Sequence, residues 1–193
     1  ATLTLKSSKR IVGGFYMLLF KNKRSQMELL MNNGDELTVH YHFDNPIESA
    51  TVLGTQECLD YLAYMRFLQP YNDKFKKVEE DRRKAKTKAD STAVKERSKQ
   101  LNKELDDYRE TYSKKNPNTL LAKQFRAAAY KEIPADIQGN EEKEKTFIRA
   151  HIFDGFDFDD ERLAYTPFLE TKLSTYLSVA PQVPDSINAI SDE

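Results

Sequence analysis

Over its first 54 residues the chain sets apolar side chains at every second position. Leu3 and Leu5 alternate with threonines, and Phe15, Met17 and Leu19 alternate with Tyr16, Leu18 and Phe20. Met27, Leu29 and Met31 follow, then Leu37, Val39, Tyr41 and Phe43. Side chains of an extended chain point to opposite faces in turn, so a period of two predicts half-buried strands. Asn33-Gly34 separates the last two sets, and that dipeptide accommodates the positive φ of a type I′ turn. A β-hairpin over residues 26–43 is therefore expected. Asp44-Asn45-Pro46 ends its second strand, and residues 50–53 read as one more short strand closed by Gly54.

Beyond Gly54 the period lengthens to three and four. Thr55 is placed to cap a helix carrying Leu59, Leu62, Ala63 and Phe67, with a kink or restart expected at Pro70. Between Asp73 and Lys115, Phe75, Val78, Ala85 and Ala89 form one apolar stripe, while Val94, Leu101, Leu105, Tyr108 and Tyr112 form another, out of phase with the first. The slip lies at Asp90-Ser91-Thr92, three residues that cap helices well, so the segment is read as a folded-back αα-hairpin. Asn116 at N-cap with Pro117 at N1 predicts a helix through Ala129. A loop over 134–140 follows, then a helix over 141–152, an aromatic and acidic loop over 154–160, and a helix over 167–179 closed by Pro181 and Pro184. Asp185 is placed to cap a further short helix, and no internal repeat is present.

These elements give an α+β chain: a small N-terminal antiparallel sheet followed by a mainly helical region with a charged αα-hairpin. The domain reading is a β-rich domain over 1–54, the C-terminal part of a larger β-domain, and a helical domain over 55–193 truncated at its C-terminus.

Composition adds exclusions. Phe and Tyr supply an 11% aromatic content, enough for a packed core, and the formal net charge of −1 gives no global argument for nucleic acid or a membrane surface. The longest apolar run, Phe15 to Phe20, falls far short of the roughly 20 residues of a membrane span. The chain opens without Met or a leader, so its N-terminus reads as processed or artificially cut. One cysteine, Cys58, rules out an internal disulfide framework.

Candidate chemistry is sparse. Arg10-Ile11-Val12-Gly13-Gly14 matches a protease activation cleavage site, but nothing corresponding to the serine-protease nucleophile segment accompanies it. His40, His42 and Asp44 share one strand face and offer metal ligands, yet Val39, Tyr41 and Phe43 claim the other face for the core, which makes the first the solvent side. Asp154, Asp157, Asp159, Asp160 and Glu161 supply oxygen for calcium, at a spacing no EF-hand uses. Anchoring phenylalanines, with Asp159 or Asp160 capping the turn at Arg162-Leu163, is the simpler account. Cys58 falls in a first helical turn, where the macrodipole lowers a thiol pKa, but its neighbours Leu59 and Leu62 suit a small buried residue. Residues 73–115 hold 15 Lys/Arg against 10 Asp/Glu, interspersed as on a solvated face with i,i+4 pairs.

One segment stands out from composition. In HIFDGFDFDDERLAYTP (151–167) three phenylalanines alternate with aspartates before an Arg-Leu and a Thr-Pro. It resembles the helical region that precedes the thioredoxin domain in a family of secreted thiol–disulfide oxidoreductases of Bacteroidetes-type bacteria. Gly14-Phe15-Tyr16, the Asn33-Gly34 turn, residues 44–68 with Gly54-Thr55 where the family has Gly-Ser, NPNTLLAKQFRA (116–127) and Pro184-Asp185-Ser186-Ile187 resemble the same family in the same order. The resemblance implies a non-catalytic accessory region of such an enzyme, which positions the redox domain, mediates assembly or recognises client proteins. It implies a covalently linked thioredoxin-like domain downstream, a chain cut at both ends, and a periplasmic or cell-envelope location. The family's chemistry resides in a Cys-x-x-Cys pair, and no position here corresponds to it, so no catalytic residue, cofactor or metal is expected. The expected contact residues are Phe153, Phe156, Phe158 and Tyr165, and the groove beside the helical hairpin is a further expected place for a partner. The alternative is a stand-alone envelope module that binds peptide or glycan.

Overall fold

The structure is a computed structural model that describes residues 9–19, 26–42 and 44–180. The expected segments around Leu3 and Leu5, the ends of strands at Phe20 and Phe43, and the elements at Pro181, Pro184 and Asp185 lie outside the described residues.

The N-terminal alternation folds into two antiparallel pairs. β1 (Gly14–Leu19) pairs with β2 (Gln26–Met31), Gly14 facing Met31 and Leu19 facing Gln26. β3 (Thr38–His40) pairs with β4 (Thr51–Leu53), Val39 facing Val52, and a single helical turn, α1 (Pro46–Ser49), lies between them. The hairpin expected over 26–43 is therefore corrected. Its turn exists: Gly34 has φ +82, Asp35 N–H donates to the Asn32 carbonyl at 3.2 Å, and Asn32 N–H donates to the Asp35 carboxylate at 2.7 Å. A turn residue fixes where the chain reverses and leaves open which strand it returns to. Here β3 has three residues, too few to match the six of β2, and β2 finds an equal partner in β1.

What the strands bury explains the rest. Met27, Leu29, Ala50, Val52, Cys58 and Leu62 form one cluster, so both strand pairs share a core with the first turns of α2 (Gln56–Lys84). Tyr61 reinforces it, donating to the Glu28 carboxylate at 2.6 Å and meeting the Phe15 ring edge-on at 5.1 Å. Arg66 donates to the carbonyls of Ile47, Glu48 and Ala50 at 3.1, 3.1 and 2.6 Å, holding α1 against α2. The chain divides into two compact units, Ala1–Ala122 and Lys123–Glu193, where the sequence reading sets its boundary after residue 54. The strands cannot be parted from α2 without exposing this cluster.

α2 runs through Pro70 without restarting. Proline removes one ladder hydrogen bond, but Phe67, Leu68 and Tyr71 on either side of it pack with Val78, Val94, Leu101 and Leu105. The last three of these belong to α3 (Lys88–Lys115), which returns along α2. Tyr71 donates to Glu104 at 2.8 Å, Tyr112 to Asp60 at 2.8 Å, and Arg109 to the Tyr64 hydroxyl at 2.9 Å, while Phe67 stacks on Tyr108 at 4.2 Å. The αα-hairpin is as expected, but its break lies at 85–87 and not at Asp90-Ser91-Thr92. Thr87 is the N-cap of a capping box, its hydroxyl accepting from Asp90 N–H and the Asp90 carboxylate accepting from Thr87 N–H, both at 3.1 Å. Ser91 and Thr92 then bond back to the carbonyls of Thr87 and Lys88 from inside the first turn.

A second boundary also moves. Asn116 ends α3 instead of starting the next helix, because a residue before proline avoids the helical region. Thr119 starts α4 (Leu120–Ala128), accepting from Ala122 N–H at 3.2 Å. In the first unit the start of α4 meets the carboxylate of Glu57, which is only 8% exposed and accepts from Leu121 N–H at 2.7 Å and from the Asn32 amide at 2.6 Å. α5 (Glu141–His151), capped by Asn140, a 3-10 turn (Glu161–Tyr165) and α6 (Pro167–Val179) complete the second unit close to the expected positions. The fold class is thus α+β, and among the described residues no helix is long and apolar enough to cross a membrane.

Gly54 has φ +129, and a Cβ there would collide with the carbonyl oxygen of Glu36. Gly54→Ala is expected to destabilise the first unit by about 3 kcal/mol, read as a lower midpoint in urea unfolding with an unchanged slope.

Candidate functional site

The aromatic and acidic loop lies wholly in the second unit. It leaves α5 at Ile152, which is 2% exposed, and turns at Gly155, whose φ is +76. A Cβ at Gly155 would come within 2.7 Å of the Arg126 carbonyl oxygen, so only glycine lets the loop approach the end of α4. The three phenylalanines then converge. Phe153 meets Phe156 at 6.3 Å and Phe158 at 5.5 Å, Phe156 meets Phe158 at 4.8 Å, and Tyr176 of α6 adds a contact to Phe153 at 6.0 Å. Phe153 and Phe156 are half-buried, whereas Phe158 is 67% exposed. Tyr165 is 56% exposed and takes no part in these ring contacts. The structure thus brings together three of the four expected residues.

The acids between the rings are matched by cations. Asp160 accepts from Arg162 through backbone N–H at 3.1 Å, Nε at 2.8 Å and Nη2 at 2.6 Å, and from Lys123 Nζ at 2.7 Å. Lys123 reaches Asp157 as well, at 2.8 Å. Asp154 binds Lys131 Nζ at 2.5 Å and His151 Nδ1 at 3.0 Å. The Arg162 guanidinium, with Lys123 behind it, holds the Asp160 carboxyl well below the usual carboxylate range. Asp154 and Asp157 are lowered too, first by Lys131 and Lys123 respectively. Asp160, and not Asp159, caps the turn at Arg162-Leu163. Among the described residues no three His, Cys, Asp or Glu side chains are grouped to hold a metal ion, and His40, His42 and Asp44 are all exposed.

Beneath the loop lies the residue that the sequence reading missed. Lys172 of α6 is 1% exposed, and its ammonium donates to the carbonyls of Ile152 and, at 3.3 Å, Ala129, with the Tyr130 ring 4.5 Å away. Those carbonyls lie just past the C-termini of α5 and α4, where helix dipoles concentrate negative charge. Burial lowers the lysine's pKa, and the charge of Asp154 opposes that shift. The signal in the sequence is faint: Lys172 is the one basic residue in 167–179, on the stripe of Phe168, Leu169 and Tyr176. A lysine centred on an apolar stripe marks either a snorkelling chain or a buried charge, and spacing alone does not separate the two. Lys123 and Lys131 carried even less signal, because their partners lie 20 or more residues away.

The buried amine is held against two carbonyls and a ring, the carboxylates of Asp154, Asp157 and Asp160 are matched by cations, and Phe158 and Tyr165 reach solvent. Cys58, in the first unit, is 1% exposed, and desolvation pushes its thiol pKa up against the lowering effect of a backbone hydrogen bond at Leu30.

Residues 82–192, more than half of the chain, match the family model of a domain of unknown function, DUF5106. The chain belongs to the DUF5106 family. No curated protein and no solved structure matches it. The DUF5106 segment begins in the last turn of α2 and takes in α3 to α6, and so contains the loop, its cations and Lys172. The strands and most of α2 lie ahead of it.

Two outcomes test this reading of the DUF5106 loop. The Asp160 pKa is depressed in the folded state, so its stabilisation is present above the ordinary value of 3.8 and is lost as pH falls below it. Asp160→Asn is expected to cost about 2 kcal/mol at neutral pH and to flatten the acid limb of the stability profile, read by unfolding across pH. Lys172→Met leaves the carbonyls of Ile152 and Ala129 without a donor, and is expected to cost about 2 kcal/mol and to speed proteolysis near residues 129–131 and 152–156.

Proposed function

We propose that this chain is a non-catalytic accessory region of a thioredoxin-like thiol–disulfide oxidoreductase, acting in the periplasm or cell envelope, where it positions the redox domain, assists assembly or recognises client proteins. The ordered resemblance of its segments to that enzyme family supports the reading. So does the sealed state of Cys58, whose raised pKa and burial suit a structural thiol beside a redox partner.

The observation that carries the recognition role is the seating of Phe158. Two half-buried phenylalanines and a web of ion pairs fix the loop, and a large apolar ring is nevertheless left 67% exposed at its crest. Exposed aromatics on a rigid support are what a contact surface for an unfolded or partly folded client requires, because little side-chain freedom is lost on binding. The exposure of Phe158 and Tyr165 also favours a second reading, an envelope module for peptide or glycan with no redox partner.

Two measurements separate the readings. A thioredoxin-like domain with Cys-x-x-Cys encoded in the same reading frame supports the accessory role, and a frame without one overturns it. In a parent enzyme with that domain, Phe158→Ala is expected to slow reduction of a protein disulfide several-fold and to leave a small-molecule disulfide unaffected. Equal rates on both substrates would remove the client-recognition role.

A further inference from the structure

The charge of the αα-hairpin is distributed unevenly. Along its shaft Asp81 holds Arg97, Asp107 holds Lys103 at 2.6 Å, and Glu110 holds Lys114 at 2.6 Å, while the exposed Glu80 and Glu96 are in no ion pair among the described residues. At the turn, Asp90 is taken up by the capping box, and Glu79 pairs with Arg82 at 2.7 Å. Arg83, Lys84, Lys86 and Lys88 are all exposed and, among the described residues, in no ion pair; Lys77, Lys95 and Lys99 on the shaft are likewise in none but lie outside this stretch. Four unpaired cations thus stand within six residues, at the apex of two helices of 29 and 28 residues. The side chains between them are those of Ala85 and Thr87, so the apex has no aromatic or large apolar group.

We propose that this apex, Arg82–Lys88, is an electrostatic docking surface for an anionic phospholipid membrane. Its shape and chemistry select that partner. Single-stranded nucleic acid is held in a basic groove with aromatic platforms, and the apex offers neither. A convex tip presents its four cations together to a flat anionic surface, where each contributes on the order of a five-fold gain in partition. Without an apolar wedge the contact stays at the headgroups, reversible and sensitive to salt. This inference is independent of the accessory role.

The test is co-sedimentation of the full chain with vesicles of phosphatidylglycerol in phosphatidylcholine. Binding is expected to rise with the phosphatidylglycerol fraction and to vanish at high salt, as the screening length shrinks from about 10 Å at 0.1 M to about 3 Å at 1 M. Replacing Arg83, Lys84, Lys86 and Lys88 together by Gln is expected to weaken it by roughly two orders of magnitude or more. Replacing Lys76, Lys103, Lys115 and Lys143 by Gln removes the same charge elsewhere and is expected to weaken it far less. Circular dichroism of both variants establishes that each is folded. Failure of the wild type to bind, or equal losses in the two variants, would overturn the proposal. Equal binding to a short duplex DNA would overturn it in favour of a general polyanion site.

Discussion

The second unit depends on one ammonium group placed where two helices end. Lys172 gives up its hydration to reach carbonyls that the helical hydrogen-bond pattern leaves unpaired, so the cost of burying the cation is offset by groups that were costly to bury themselves. The first unit uses the opposite arrangement. There the Glu57 carboxylate sits at the start of α4, where N–H groups lack partners, and ties that helix to the turn after β2. In each unit a buried charge answers the end of a helix, and in each a wrong register would leave that charge stranded.

The loop over Lys172 inherits its order from that anchor. Ile152, one of the two residues whose carbonyl accepts from the ammonium, is the residue from which the loop departs. Gly155 then brings the chain against the end of α4, and Asp160, locked to Arg162 and Lys123, fixes where it leaves. With both ends fixed, the three phenylalanines between them have a small set of arrangements, and Phe158 is the one that faces outward. The surface is a product of the frame rather than of the exposed residues alone.

Much of this was legible in the sequence where local chemistry decides. The helices expected over 141–152 and 167–179 and the acid-capped turn at Arg162-Leu163 follow from spacing and from residues that bond within their own turn. The partner of β2 was not legible, because Asn33-Gly34 specifies a reversal while pairing is settled by burial against α2, far along the chain. The hairpin break falls a few residues before the expected site, since Asp90 completes a capping box from inside the first turn and Ser91 and Thr92 bond back to carbonyls there. Three of the expected contact residues gather, yet the cations that hold their loop were invisible, because long-range ion pairs leave no periodic trace.

The burial of Cys58 carries a consequence for how this molecule responds to its surroundings. A solvent-facing thiol near a disulfide-exchanging partner would be drawn into mixed disulfides or cross-linked dimers. Here the sulfur sits behind Met27, Leu29, Val52 and Leu62, and reagents reach it only when the strands part from α2. The rate at which the thiol is modified therefore counts the openings of that one core, and the chain carries its own clock for the loosening of its N-terminal half.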